Sequence, residues 1–327
     1  IRDRCQRRYG WTFDRSELVM SNGIIPALYE MVEYICKPDE KVLFLTPSYA
    51  YFKYAADFNK RDYVCSDLIN EDGRYYIDFE DLEKKAADEK TTLFILCNPH
   101  NPVGKIWDRE TLERIGELCF KHHVLVLSDE IHCDITRPGM EYIPFASVSE
   151  HCKNNSITCV APTKTFNLAG LQTAAVIVPD AALRHRVNRG LNTDEVAEPN
   201  VFAAIAPIAA FDRGREWLEE LREYLWENRK FAEDFIREEI PELGTVSADA
   251  TYLLWIDCNA LPGDLSELAE FIRKESGLYV CDGREYGNGY GFLRMNLACR
   301  RELLKEGLER LKRSIHSYRK GISNGII

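Results

Sequence analysis

Five stretches of this chain place reactive or hydrogen-bonding side chains directly after short apolar runs, and one of them carries an amine. Ala161-Pro162-Thr163-Lys164-Thr165-Phe166-Asn167 follows residues 157–160. A lysine on such a loop can form a Schiff base with a carbonyl. Ser128-Asp129-Glu130-Ile131-His132 follows residues 124–127 (VLVL). A carboxylate just beyond a fully apolar run is costly to desolvate unless a cation meets it, and a protonated pyridine nitrogen is one such cation. Cys97-Asn98-Pro99-His100-Asn101-Pro102-Val103-Gly104 follows residues 93–96. Its two Asn-Pro pairs predict a rigid, extended turn, where the Asn101 amide could bond a phenolic oxygen and a carboxylate. Thr46-Pro47-Ser48-Tyr49 follows residues 41–45 and offers an aromatic face to a planar ring. Ser21-Asn22-Gly23 follows residues 18–20 and leads into a helix at Pro26, where free backbone N–H groups could receive a phosphate. Each feature alone has an ordinary explanation: a surface lysine, a tyrosine under a loop, a glycine turn. Their common position, one after each of five apolar runs, is what gives them weight together.

The elements that must hold these residues alternate in type. Between residues 18 and 178 short apolar runs alternate with helical stretches, the pattern of a mostly parallel sheet wrapped by helices. Seven strands are expected at residues 18–20, 41–45, 61–64, 93–96, 124–127, 157–160 and 174–178. Helices are expected at 26–36, 78–87 and 109–122, with Asp78 as an N-cap. In such sheets ligands collect beyond the carboxyl ends of the strands. After Pro199 the character changes: helices at 202–211 and 216–239 precede strands at 252–257 and 292–297, a helix at 265–276 and a last helix from Arg301. The expected fold is α/β, a seven-stranded sheet in a large domain (16–212) and a smaller α+β C-terminal domain (213–327). Residues 1–15 read as the remnant of an N-terminal segment, part of which lies outside this numbering.

The chain has 327 residues, 45% hydrophobic and 29% charged, enough for two domains. A net charge of −11 argues against a nucleic-acid surface. No run approaches a membrane span or a signal peptide. Eleven cysteines include no C-x-x-C pair, which suggests reduced thiols and a cytoplasmic location. His132, Cys133 and Asp134 supply metal-ligand types, but adjacent residues point in different directions, so no metal is expected. Gly287-Asn288-Gly289-Tyr290-Gly291 precedes a strand rather than opening a helix, so it is not a dinucleotide loop.

Together the motifs resemble the fold-type I enzymes that use pyridoxal 5′-phosphate (PLP), the aspartate-aminotransferase-like superfamily of class I/II aminotransferases. More narrowly they are similar to its MalY/PatB branch of cystathionine β-lyase-like C–S lyases. The strings that carry the resemblance are residues 96–104 (LCNPHNPVG), 128–132 (SDEIH), 163–172 (TKTFNLAGLQ), 251–257 (TYLLWID) and 294–298 (RMNLA). The resemblance implies that Lys164 holds PLP and then acts as acid and base at Cα. It implies that Asp129 pairs with the pyridine N–H, Asn101 contacts the ring hydroxyl and Tyr49 stacks on the ring. Gly23, Ile24 and Ile25 would bind the phosphate together with Thr163, and His132 would stand where a ring-contacting tyrosine is common in aminotransferases. Arg294, with Asn101, would hold the substrate carboxylate. Gln172 and Ala161 replace an arginine and a serine that many aminotransferases use for the phosphate. The implied activity is β-elimination from a small amino acid bearing a β-thioether, by a homodimer. An aminotransferase is the alternative, and a non-catalytic ligand-binding protein on the same fold is another.

Overall fold

Strands that are apolar on both faces are stable only between two layers of helices, and the central strands of this chain are of that kind. The computed structural model describes residues 1–324. Its strands are β1 (Leu18–Ser21), β2 (Lys41–Thr46), β3 (Asp62–Glu71), β4 (Arg74–Ile77), β5 (Thr91–Cys97), β6 (Leu125–Asp129), β7 (Ser156–Val160), β8 (Ala174–Ile177), β9 (Gly244–Thr245), β10 (Leu253–Asp257), β11 (Cys281–Asp282) and β12 (Phe292–Asn296). Its helices are α1 (Arg2–Tyr9), α2 (Ile24–Ile35), α3 (Tyr51–Phe58), α4 (Phe79–Ala86), α5 (Arg109–Lys121), α6 (Glu150–Asn154), α7 (Ala181–Thr193), α8 (Phe202–Arg213), α9 (Arg215–Glu239), α10 (Leu268–Ser276) and α11 (Arg301–Ser323).

The large sheet has the order β1-β8-β7-β6-β5-β2-β3-β4. From β7 to β3 all neighbours are parallel, while β8 runs antiparallel to both β7 and β1. Ile24, Leu28 and Met31 of α2, Phe52 of α3 and Val187 of α7 fill one face. Leu82 of α4 and Leu112, Ile115 and Cys119 of α5 fill the other. Asp78 caps α4 as expected, accepting from the Glu80 and Asp81 amides at 3.1 Å, and Asp108 caps α5 through Thr111 N at 2.8 Å.

This sheet has eight strands, not the seven expected from the sequence. The expected strand at 61–64 continues to Glu71 and turns back through Asp72 and Gly73, both at positive φ, into β4. That two-residue turn suits the right-handed twist of a hairpin. In β4 only Tyr75 and Ile77 are buried, so half of a four-residue strand is polar or exposed and its apolar signal is short.

A second sheet, ordered β11-β12-β10-β9 and antiparallel throughout, packs under α9, α10 and α11. Leu254 and Ile256 of β10 and Leu293 and Met295 of β12 meet Ile236, Ile272, Leu304, Leu308 and Leu311 there. The two sheets are fastened where the Asn-Pro turn ends. Gly104 O accepts from the amides of Asp249 (2.8 Å) and Ala250 (2.9 Å), and Thr251 N donates to Ile135 O at 2.7 Å. Among the described residues no helix is long and apolar enough to cross a membrane.

Gly104 has φ +72°, and a Cβ there would lie 2.6 Å from Ala248 Cβ and 2.7 Å from Ala250 O. Gly104→Ala should therefore lower the unfolding free energy by about 2–3 kcal/mol through overpacking and positive-φ strain. Urea titration checks this, and a loss under about 0.5 kcal/mol would mean that the junction yields freely.

Candidate active site

Asp129 is the last residue of β6, and its strand neighbours in register are Cys97 of β5 and Cys159 of β7. Neither can neutralise it. The carboxylate is 5% exposed and accepts one hydrogen bond, from Ile131 N at 3.2 Å. It forms no ion pair among the described residues. Burial pushes its pKa up to about 6, against the Ile131 amide and the Lys164 charge, which lower it.

The turn after β5 brings Asn101 beside this carboxylate and ties it to two other elements. His100 Nε2 bonds Pro47 O at 2.8 Å, linking the Asn101 turn to the loop that carries Tyr49. Burial lowers the His100 pKa to about 4. Asn101 Oδ1 accepts from Arg294 Nη1 at 3.1 Å, across 193 positions of sequence. Arg294 sits in the middle of β12 opposite Trp255 and Cys281, with its guanidinium 4.7 Å from the Tyr286 ring centroid. Tyr49 is half-buried and stacks on Tyr51 at 5.0 Å, and burial pushes its phenol to about 12.

The start of α2 borders the same cavity as Arg294. Gly23 is its N-cap, and no side chain caps the helix. The Ile24 and Ile25 amides of its first turn thus face the cavity with the positive end of the helix dipole. Lys164 occupies a tight turn after β7, closed by Phe166 N to Pro162 O and Leu168 N to Thr163 O, both 2.9 Å.

These side chains line one cavity of about 400 Å³. Gly23, Ile24, Ile25, Tyr49, Asn101, Asp129, His132, Thr163, Lys164 and Arg294, the ten positions singled out from the sequence, all border it. Gln172, at positive φ, also lines it where the superfamily often has arginine. Asn22, part of the turn expected to receive a phosphate, borders it too, and sequence reasoning missed Thr173, Tyr252 and Asn296, which also line it. Tyr252 lies inside a motif that points to other residues, and an aromatic at the start of a strand was the available signal for it. The Asn22 Oδ1 atom is buried without a hydrogen-bond partner. His132 faces the cavity, edge-on to Tyr252 at 5.7 Å, whereas Asp134 is held by Arg4 and Arg8 elsewhere, so the three adjacent metal-type side chains diverge. Burial, with the Lys164 and Arg294 charges, lowers the His132 pKa to about 3, which makes it a neutral imidazole at working pH. The arrangement can receive a flat cationic ring over Asp129, an anion at the α2 end, and a carboxylate at Arg294.

The sheet order and this cavity at the strand ends define a class of protein, and the sequence comparison agrees: the chain belongs to the family of class I and II aminotransferases, whose model matches residues 1–311. Within it the chain is 40% identical over 311 residues to the cystathionine β-lyase PatB of Bacillus subtilis, covering 95% of this chain and 80% of that one. Cystalysin from Treponema denticola, whose crystal structure contains PLP, superposes with a TM-score of 0.94 at 30% identity, over 97% of this chain and 81% of cystalysin. A PLP-bound C–S lyase from Staphylococcus hominis gives a TM-score of 0.90 at 36% identity, over 96% and 77%. The fold and the family expected from the motifs are borne out.

A carboxyl whose folded-state pKa lies above its ordinary 3.8 stabilises the fold while protonated, and that contribution fades as pH rises through about 6. Above that pH the cofactor-free protein carries a penalty that an amide would remove. Asp129→Asn should therefore stabilise cofactor-free protein at pH ~7.5 by up to about 3 kcal/mol, with the gain vanishing below pH ~4. Urea titrations at both pH values check this; a destabilised variant at the higher pH would show that the carboxylate is not strained by burial.

Proposed function

We propose that the chain is a PLP-dependent carbon–sulfur β-lyase, which with water converts L-cystathionine or a cysteine S-conjugate to a thiol, pyruvate and ammonia. The observation that carries this reading is the single cavity shared by Lys164, Asp129, Asn101 and Arg294. The family relation to a cystathionine β-lyase supports it.

The donor set suits the cofactor. The Ile24 and Ile25 amides, uncapped by any side chain, would donate to the phosphate, with the Thr163 hydroxyl beside them. Asp129 would meet the ring nitrogen, which relieves its burial. Asn101 would bond the ring hydroxyl, Tyr49 would cover the ring face, and Lys164 would carry the group. When bound, PLP supplies a carbonyl for the substrate amine and an electron sink for the pair left at Cα.

The remaining work falls to the chain. Arg294 clamps the α-carboxylate in a bidentate pair, its guanidinium already held by Asn101 and the Tyr286 ring. That fixes which Cα bond faces Lys164. The Lys164 amine takes the Cα proton; the Cβ–S bond breaks with its electrons going to sulfur, and Lys164 can hand the proton on to the thiolate. A neutral His132 adds no positive charge beside the ring to compete with Asp129. Eleven unpaired cysteines suit the reducing cytoplasm. A two-fold homodimer is the assembly we assign, in which residues 16–212 hold the cofactor and 213–327 close over it.

With PLP and L-cystathionine the protein should release pyruvate and thiol in equal amounts. Lys164→Ala should abolish this and the absorbance near ~420 nm. Arg294→Lys should raise KM about tenfold or more, because an ammonium cannot pair with a carboxylate at two points. Conversion that requires a 2-oxo acid and releases no thiol would make the enzyme an aminotransferase instead.

A further inference from the structure

Asp134 lies five residues beyond Asp129 and does not border the cavity, yet four side chains converge on it. It is 2% exposed. Its Oδ1 atom is ion-paired with the Arg4 guanidinium and with Arg8 Nε at 3.1 Å and accepts a hydrogen bond from the Tyr9 hydroxyl, all from α1. Its Oδ2 atom receives one group only, the Thr165 hydroxyl at 3.1 Å. Burial alone would raise this carboxyl, but the Arg4 and Arg8 charges outweigh it and hold the pKa below the usual range. Arg4 is itself buried and reaches over the Phe211 ring at 4.6 Å, so the anchor on the α1 side is rigid.

The two oxygens therefore have separate duties. Oδ1 is fixed to α1, and that leaves Oδ2 as a stationary acceptor. Thr165 is fully buried and immediately follows Lys164. Its bond to Asp134 is the one side-chain hydrogen bond made by residues 162–167 among the described residues. The backbone bonds of that turn, from Phe166 and Leu168, close it on itself without attaching its tip to another element.

We propose that Asp134 is a positioning residue for Lys164: pinned by Arg4, Arg8 and Tyr9 through one oxygen, it holds Thr165 through the other and so fixes the backbone from which the amine enters the cavity. This rests on the reading that Lys164 carries the cofactor and moves the Cα proton. The amine is needed for both tasks, and a misplacement of about 1 Å at such a group costs on the order of a hundredfold in rate. Asp134 touches neither substrate nor cofactor; it acts through Thr165.

Thr165→Val removes the hydroxyl while keeping the shape and leaving the Arg4, Arg8 and Tyr9 contacts intact. Thr165→Ser restores the hydroxyl. Two measurements separate positioning from simple loss of stability, both made well below the melting temperature. One is kcat and KM for L-cystathionine. The other is the rate at which cofactor-free protein captures added PLP as a borohydride-reducible adduct at Lys164, followed by peptide mass spectrometry. Thr165→Val should lower kcat by about ten- to a hundredfold with KM within about twofold, and slow adduct formation in parallel. Thr165→Ser should recover to within about threefold of the parent on both counts. The proposal is overturned if Thr165→Val forms the adduct and turns over at parental rates, if it changes KM alone, or if Thr165→Ser is as slow as Thr165→Val. An unmodified protein that forms no adduct at Lys164 overturns the cofactor reading and the proposal together. One that forms the adduct but releases no thiol overturns only the lyase reading, because the adduct rates of the two variants still decide the role of Asp134.

Discussion

A carboxylate at the end of a central, doubly covered strand is the constraint on which this structure turns. Asp129 stands between Cys97 and Cys159, whose thiols burial holds well above their ordinary range and therefore neutral. Neither neighbour adds negative charge, and neither removes it. In water the carboxylate would be solvated; here one amide hydrogen bond replaces that shell, and the difference appears as a pKa near 6. The compensating charge has to arrive from the cavity side. A ligand bearing a cation over Asp129 would thus recover free energy that folding leaves unspent, and that recovery is directional, because one side of the carboxylate is open.

The rest of the site follows from how the two sheets are joined. Parallel strands deliver Tyr49, Asn101, Asp129 and Lys164 to one edge because they end on the same side. Arg294 comes from the other sheet, and its reach depends on the close approach at Gly104 and on the bond from His100 to Pro47. Once there it is held between the Tyr286 ring and Asn101. The cavity wall then carries positive character from the α2 terminus and from Arg294 together with the Asp129 carboxylate. Those three features suit a phosphate, a carboxylate and a ring cation respectively.

Most of this was legible in the sequence because the site is built from strand ends, and a strand end is a local event: an apolar run followed by polar residues. The β6 run VLVL followed by Ser-Asp-Glu needs no tertiary information to be noticed. What escaped notice was of three kinds. The hairpin of β3 and β4 hides because its turn is only Asp72-Gly73 and β4 alternates buried and exposed residues over four positions. The clamp of α1 on Asp134 hides because Tyr9 and Asp134 are 125 positions apart, and nothing local in an Arg-rich helix says which carboxylate it will meet. Tyr252 escaped for a simpler reason: its neighbours in the same motif had already explained the motif.

Residues 129–134 contain three buried acids, and their fates show why residue type alone could not assign roles. Glu130 accepts from Ser128 Oγ and Phe145 N, both at 2.9 Å, and although burial raises its pKa to about 7 its Oε1 atom is engaged by the protein. Asp134 is met by two guanidinium groups and two hydroxyls, and its pKa falls. Asp129 alone keeps an oxygen toward the cavity with no protein cation paired to it among the described residues. Satisfied acids hold a structure together; the one left partly unsatisfied, on the wall of a cavity, is free to act on something the protein does not itself contain. The same distinction separates the two ends of the His132-Cys133-Asp134 run. His132 has a buried Nδ1 without a partner and faces the ligand space, while both oxygens of Asp134 have partners and Oδ1 faces α1. Environment rather than chemistry of the side chain divides these residues into those that build the site and those that use it.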